Sequence, residues 1–219
     1  MKIAKIYNIL ASEFEKHPKP VVDIIESEKE RPFFILVTTI LSARTKDVTT
    51  YKVAKKLFSK IDSYKDLKKI SSTDLKRILY PIGFYKNKAK YLKKLPEVLE
   101  NKFDGKVPDD IESLLQLPGV GRKTANLVRT IAFKKPAMCV DTHVHRICNR
   151  LGYVKTNTPY GTEMALRKKL PKKYWINFNS YLVSFGQNHC LPRNPKCSTC
   201  KIFKYCSRVN VKSKFLPTK

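Results

Sequence analysis

The feature that most restricts the fold is a run of four cysteines near one end of the chain. Cys190, Cys197, Cys200 and Cys206 follow the spacing C-x6-C-x2-C-x5-C, which places four thiols within 17 residues of a segment rich in Pro and Lys. Such a segment can wrap around one metal centre, and thiolates are the soft donors that hold iron–sulfur clusters or zinc. The spacing alone leaves both open, because all-cysteine zinc sites exist.

The chain shows no sign of export. The segment Met1–His17 is amphipathic but lacks an apolar core and a small-residue cleavage site. The longest apolar run, Phe33–Leu41, is too short to span a bilayer. We therefore expect an intracellular, reducing location, where clustered cysteines bind metal more often than they form disulfides. Cys139 and Cys148 lie outside the run and are expected to be small buried hydrophobic residues.

The charge balance indicates a polyanionic partner. The chain has 45 Lys and Arg residues against 18 Asp and Glu residues, a net charge of +27. Self-repulsion of this size destabilises a compact state unless an anionic partner offsets it. Lys-rich thermophile surfaces usually carry a matching amount of Glu, which is missing here. Nucleic acid is the favoured partner, and an anionic membrane is second.

Apolar spacing predicts an all-α protein with no convincing strand pairs. Pro32 suits a first helical turn, Gly83 and Gly152 suit helix ends, and Asp109 with Glu112 resembles a capping box. The expected helices are Ile3–Lys16, Pro32–Ser42, Asp47–Phe58, Thr73–Tyr80, Lys86–Glu100, Asp109–Leu115, Arg122–Phe133, Thr142–Leu151, Tyr160–Lys169 and Lys172–Gly186.

Two further segments carry candidate chemistry. The run Leu117–Ala125, LPGVGRKTA, joins two predicted helices and contains two glycines one residue apart. It can turn sharply and offer backbone N–H groups at a helix N-terminus to a phosphate, although many helical hairpins use Gly only to turn. The run Val140–Arg146, VDTHVHR, places Asp141 before a helix, where an N-cap is the simplest role. His143 and His145 do not share a helix face, which argues against a metal pair.

Together, these motifs resemble the endonuclease III family of helix-hairpin-helix DNA glycosylases. LPGVGRKTA is followed by VDTHV and then by the cysteine run, and LSARTKD at Leu41–Asp47 and GFYKNKA at Gly83–Ala89 extend the likeness over nearly the whole chain. The resemblance implies a two-domain fold, with a six-helix barrel at residues 20–132. Residues 1–19 and 133–219 would form a discontinuous helical domain whose cysteine loop, 190–206, carries a [4Fe–4S] cluster.

The resemblance also implies a function. The protein would remove oxidised pyrimidines from double-stranded DNA and cleave abasic sites by β-elimination through a lysine Schiff base. It would act as a monomer, without a membrane, in the cytoplasm or nucleoid of a prokaryote rather than in a nucleus. A damaged base must first leave the duplex, which costs a few kcal/mol.

Residue roles follow from the matched motifs. Lys123 would attack C1′ of the sugar, and Asp141 would support the positive charge that develops there. The family commonly has Gln where this chain has Arg44. Three other groups of residues would contact DNA. The hairpin residues Gly119, Val120, Gly121 and Arg122 would bind the DNA backbone. Arg44 and Phe84 would fill the gap left by the flipped base, and Arg193 and Lys196 would present cations from the cysteine loop.

Two alternatives remain at this level. A mismatch or adenine glycosylase of the same superfamily would share the hairpin and the cluster but lacks Lys at the Lys123 position. Adenine-specific relatives use a Glu in the helix at Pro32–Ser42, and none occurs between Phe33 and Asp47. A non-catalytic DNA-binding iron–sulfur module is the other alternative, and the presence of both Lys123 and Asp141 argues against it.

Overall fold

The computed structural model describes residues 3–28 and 31–212, and every regular element in these ranges is helical. The all-α prediction is confirmed. The chain divides into two compact units. One is the continuous segment Val21–Lys135, and the other combines Met1–Pro20 with Pro136–Lys219. In the described ranges, no helix has the length and hydropathy to cross a membrane.

The continuous unit is built around one nearly fully buried helix. Its helices are α2 (Val21–Glu28), α3 (Pro32–Ser42), α4 (Asp47–Phe58), α5 (Tyr64–Lys69), α6 (Ser72–Leu79), α7 (Tyr85–Phe103), α8 (Ile111–Leu114) and α9 (Arg122–Phe133). All residues of α3 from Phe34 to Leu41 are buried, and α2, α4, α7 and α9 pack around it. A helix that is apolar on every side belongs in the interior, and α3 forms the core of this unit.

The discontinuous unit pairs an early helix with three later ones. Helix α1 (Ile3–Phe14) packs on α12 (Trp175–Asn188), which also contacts α10 (Thr142–Arg150), and α11 (Pro159–Lys169) lies against α10. Their apolar faces form one core that includes Ile6, Val144 and Phe178. The cysteine loop follows α12 and contributes Ile202 to this core.

Several local predictions were wrong. Two short helices, α2 and α5, were not expected. The predicted helix Lys172–Gly186 is a 3₁₀ turn at Lys172–Tyr174 followed by α12.

The predicted cap and stop at two helix ends also differ. The side chain of Asp110, not Asp109, caps α8 by accepting the Ser113 N–H at 2.8 Å. Helix α6 ends at Leu79, so Gly83 is not its stop and instead immediately precedes Phe84, the N-cap residue of α7. Pro32 at the start of α3 is confirmed.

Candidate active site and DNA interface

The glycine hairpin between α8 and α9 uses its two glycines differently. Gly119 has φ +77°, and a Cβ there would lie 2.6 Å from Cδ2 of Tyr91. Gly121 is the N-cap of α9 with φ −97° and ψ 178°, and a Cβ there would meet nothing within 4 Å. Gly119 is therefore required by the turn itself, whereas Gly121 leaves open space in front of a helix N-terminus. Val120 between them is buried and secures the turn through its N–H to the Leu117 carbonyl at 3.1 Å.

The first turn of α9 carries basic side chains that reach solvent, and the helix residues that follow them are buried. Lys123 is exposed and Arg122 is half-buried, while residues 124–128 are buried. Gly121 provides no side-chain cap for the first amides of α9. A helix N-terminus that carries cations in its first turn is suited to an anion such as a phosphate.

Arg44 and Phe84 lie on two neighbouring loops of the same unit. Both have left-handed backbones, with φ 53° at Arg44 and φ 56° at Phe84, a conformation that costs roughly 1–2 kcal/mol for residues with a Cβ. The Arg44 guanidinium lies 5.3 Å from the centre of the Phe84 ring, and Phe84 is 59% exposed. Left-handed backbone outside glycine is concentrated at functional sites, and an exposed aromatic beside a cation can stack on bases.

Asp141 in the discontinuous unit is the N-cap of α10. Its Oδ1 accepts the N–H groups of His143 at 2.8 Å and Val144 at 2.9 Å. The carboxylate is thereby held at a helix N-terminus. His145 forms a contact of 2.7 Å through Nδ1 with the Thr162 hydroxyl, which assigns this imidazole to the packing of α10 on α11.

The four clustered cysteines line one cavity. It is also lined by Ile147 and Phe185. Burial raises the pKa of Cys200 to about 12, and it also raises the pKa of Cys197 and Cys206. No three His, Cys, Asp or Glu side chains of the described segments are arranged to hold a metal ion.

Two arginines of α10 donate hydrogen bonds to the cysteine loop, and this role was not predicted for either of them. Arg146 donates through Nη2 to the Cys190 carbonyl at 2.8 Å. Arg150 donates to the Leu191 carbonyl at 2.7 Å and, through Nη1, to Cys190 Sγ at 3.4 Å. Their one sequence signal is a spacing of four residues on α10. Charged donors to a ligand-type sulfur and its neighbouring carbonyls orient a loop of this kind.

The chain resembles known base-excision enzymes over most of its length. Residues 37–172 match the family described as HhH-GPD superfamily base excision DNA repair protein. Endonuclease III of Thermotoga maritima is 48% identical over 175 residues, which cover 80% of this chain and 82% of that protein. The chain belongs to the endonuclease III family.

Two solved structures share the fold. A trapped endonuclease III–DNA covalent intermediate, an estranged-adenine complex, superposes with a TM-score of 0.82 at 34% identity, covering 94% of this chain and 95% of that one. A thermostable thymine-DNA glycosylase gives a TM-score of 0.80 at 29% identity, covering 94% and 95%. This member of the endonuclease III family is thus a DNA glycosylase and abasic-site lyase of base excision repair.

The predicted site residues of this endonuclease III relative fall into two groups. The continuous unit carries Lys123, the hairpin and the Arg44 and Phe84 loops, and the discontinuous unit carries Asp141 and the cysteine loop. Arg193 and Lys196 are exposed on that loop between the first two cysteines, and Cys139 and Cys148 are buried as expected.

Proposed function

We propose that this glycosylase excises oxidised pyrimidines and then cleaves the abasic strand through a Schiff base on Lys123. What supports this role is the exposed position of Lys123 in the first turn of α9, directly after the glycine hairpin. An amine is needed because a lyase that cuts the strand must form an imine with the sugar, which water cannot do.

The proposed reaction proceeds in two stages. The Lys123 amine attacks C1′ as the glycosidic bond breaks, and the base leaves with the bonding electrons and takes up a proton. Ring opening at O4′ gives the Schiff base on Nζ. Loss of a C2′ proton then expels the 3′ phosphate by β-elimination, and water releases the enzyme. Asp141, already ordered by two backbone N–H groups, would supply negative charge that supports the developing cation.

The cysteine loop is proposed to hold a [4Fe–4S] cluster. Its four thiols surround one cavity, and thiolates are the donors that such clusters use. When bound, the cluster would tie the loop together and present Arg193 and Lys196 to the DNA backbone. Ligation requires thiolates, so binding of the cluster would release the thiol protons of the four cysteines.

We also assign the domains, partner and location of this enzyme as the resemblance implies. Residues 20–132 are proposed as the barrel domain, and residues 1–19 and 133–219 as the cluster domain. The proposed substrate is duplex DNA with damaged bases or abasic sites, bound by a monomer inside a prokaryotic cell.

Borohydride trapping tests the central assignment. Reduction during turnover should fix a covalent protein–DNA adduct on Lys123, and Lys123→Gln should lose trapping, excision and strand cleavage while retaining lesion-duplex binding. Lys94→Gln, which changes an exposed lysine of α7, is the matched control and should trap normally. An adduct that persists in Lys123→Gln would identify another amine as the nucleophile.

The similarity to a thymine-DNA glycosylase favours one alternative function, that of a mismatch glycosylase. A monofunctional mismatch glycosylase would release the base but leave the strand intact until base or heat is added. Products should therefore be resolved without either treatment on duplexes with oxidised pyrimidines and with mismatched thymine. Intact strands beside free base would favour the mismatch activity.

A further inference from the structure

A lysine is buried beneath the two loops that carry Arg44 and Phe84. Lys88, in the first turn of α7, is only 4% exposed, and its Nζ donates to the Leu41 carbonyl at 2.7 Å and the Ala43 carbonyl at 2.6 Å. A third bond of 3.0 Å reaches the hydroxyl of Thr45. All three N–H groups of the ammonium are thus used on the end of α3 and the loop that follows it.

Thr45 extends this contact to the second loop. Its hydroxyl oxygen also accepts the backbone N–H of Gly83 at 3.2 Å, directly before Phe84. The two loops are also in close contact, because a Cβ on Gly83 would lie 2.8 Å from the Arg44 carbonyl oxygen. Lys88 and Thr45 therefore connect the left-handed residue of one loop to that of the other.

Burying a lysine is unfavourable, so its retention calls for a reason. Desolvation lowers the pKa of Lys88 to about 8, and apolar packing alone would be served better by Met or Leu. The three acceptors are two carbonyls and a hydroxyl rather than a carboxylate, so the lysine holds backbone in place instead of neutralising a charge.

We propose that Lys88 is a positioning residue that fixes the Arg44 and Phe84 loops in the conformation that enters damaged DNA. This inference rests on the proposed function in taking damaged duplex DNA as the substrate, and on the gap-filling role that the family resemblance implies for Arg44 and Phe84. Lys88 is buried and does not touch DNA. It acts through the loop backbone, so its loss moves Arg44 and Phe84 without changing either side chain.

The same helix provides a matched control. Lys93 also lies in α7, and its Nζ also donates to two backbone carbonyls, of Lys68 at 3.0 Å and Ile70 at 2.8 Å. These carbonyls belong to the end of α5, not to the Arg44 and Phe84 loops. Lys88→Met and Lys93→Met therefore remove the same kind of contact at two places, only one of which leads to the proposed DNA-entering residues.

The experiment uses a duplex with a non-cleavable abasic-site analogue opposite 2-aminopurine, whose fluorescence rises when it leaves the base stack. Wild type and Lys93→Met should raise the fluorescence, and Lys88→Met should largely lose this rise. Single-turnover excision from lesion duplexes should fall about 10-fold or more in Lys88→Met, since a misplacement of about 1 Å can cost about 100-fold. Cleavage of an abasic site in single-stranded DNA, which leaves no orphan base, should be retained.

Each result decides the inference separately from the proposed chemistry. An equal fluorescence rise in both Met variants, or no rise in wild type, overturns the role of Lys88. A wild type that unstacks 2-aminopurine but excises nothing overturns the proposed chemistry and leaves Lys88 testable by fluorescence. If Lys88→Met does not fold, Thr45→Val and Thr45→Ser replace it. The Ser variant keeps the hydroxyl and should keep the fluorescence rise, and the Val variant should lose it; a Val variant equal to the Ser variant refutes the inference.

Discussion

Replacing Gly119 should weaken the fold, whereas replacing Gly121 should weaken only DNA binding. Gly119→Ala forces a residue with a Cβ into φ +77°, at a cost of roughly 1–2 kcal/mol. The new Cβ would also lie 2.6 Å from Cδ2 and 2.9 Å from Cγ of Tyr91, so the ring must move. Overpacking of this kind costs about 1–3 kcal/mol, giving a combined loss of about 2–5 kcal/mol in the free energy of unfolding.

Gly121→Ser is the matched control for this prediction. Its backbone is extended, its Cβ has open space, and Ser is a favoured N-cap residue, so stability should be unchanged or raised by a few tenths of a kcal/mol. The new side chain nevertheless occupies the space through which a phosphate would reach the first amides of α9. Binding should weaken for all duplexes alike, because the hairpin is proposed to contact the DNA backbone rather than the bases.

Denaturant unfolding and salt-dependent DNA binding separate the two effects. In a Tyr91→Ala background, Gly119→Ala should cost less, because Cδ2 and Cγ are gone and only the Cβ of residue 91, at 3.2 Å, stays close; the remaining cost is mainly that of the positive φ. Loss of one phosphate contact in Gly121→Ser should reduce the slope of log affinity against log salt by about 0.9. A Gly119→Ala protein as stable as wild type, or a Gly121→Ser protein that binds lesion duplexes selectively worse, would refute this reasoning.

Two further predictions concern the discontinuous unit. Asp141→Asn should keep the N-cap, because the amide oxygen can still accept the His143 and Val144 N–H groups, but should slow turnover on the order of 10²-fold or more by losing charge. Asp141→Ala should slow turnover similarly and also lose about 1 kcal/mol of stability, as measured by thermal melting; equal melting of the two variants would contradict the cap. Purified protein should be yellow-brown with iron and sulfide in equal amounts. Cys200→Ser should lose colour and destabilise its unit, and Cys139→Ser should keep the colour; colourless active protein containing stoichiometric zinc would contradict the cluster.

Sequence patterns predicted helices well where local chemistry marks their ends. The bounds of α3, α4 and α9 agree with expectation to the residue. Pro32 at N1 favours the start of α3, and Gly121 precedes α9. Helices α2 and α5 span only eight and six residues and were missed, whereas α6 and α8, which are no longer than α2, were expected, so length alone does not explain the difference. Asp109 and Asp110 are indistinguishable as caps until the backbone shows which carboxylate faces the Ser113 amide.

For the candidate site too, the sequence predicts some features and not others. Motif residues such as Lys123 and the cysteines could be selected because their residue type and order carry the chemistry. The contacts that hold these residues could not be predicted. The sequence alone does not distinguish Arg146 and Arg150 from the other Lys and Arg residues among the 45, and only the structure shows that they contact the cysteine loop from α10.

Lys88 shows why contacts between residues far apart in the chain could not be predicted from the sequence. Helix α7 begins YKNKAKYLKK and also has lysines at positions 86, 90, 93 and 94. The local sequence does not distinguish Lys88 from these four. Helical spacing places Lys88 beside Leu92 and Leu95 on the buried face, where a single-sequence reading would expect an apolar residue. Its ammonium can remain there only because three oxygens, from the end of α3 and the loop that follows it, accept its hydrogen bonds from 43 to 47 residues earlier in the chain. A residue that breaks the apolar pattern and is satisfied only by distant oxygens, here two carbonyls and a hydroxyl, does little for local helix stability, and we infer that its contribution lies in the conformation of the loop it contacts.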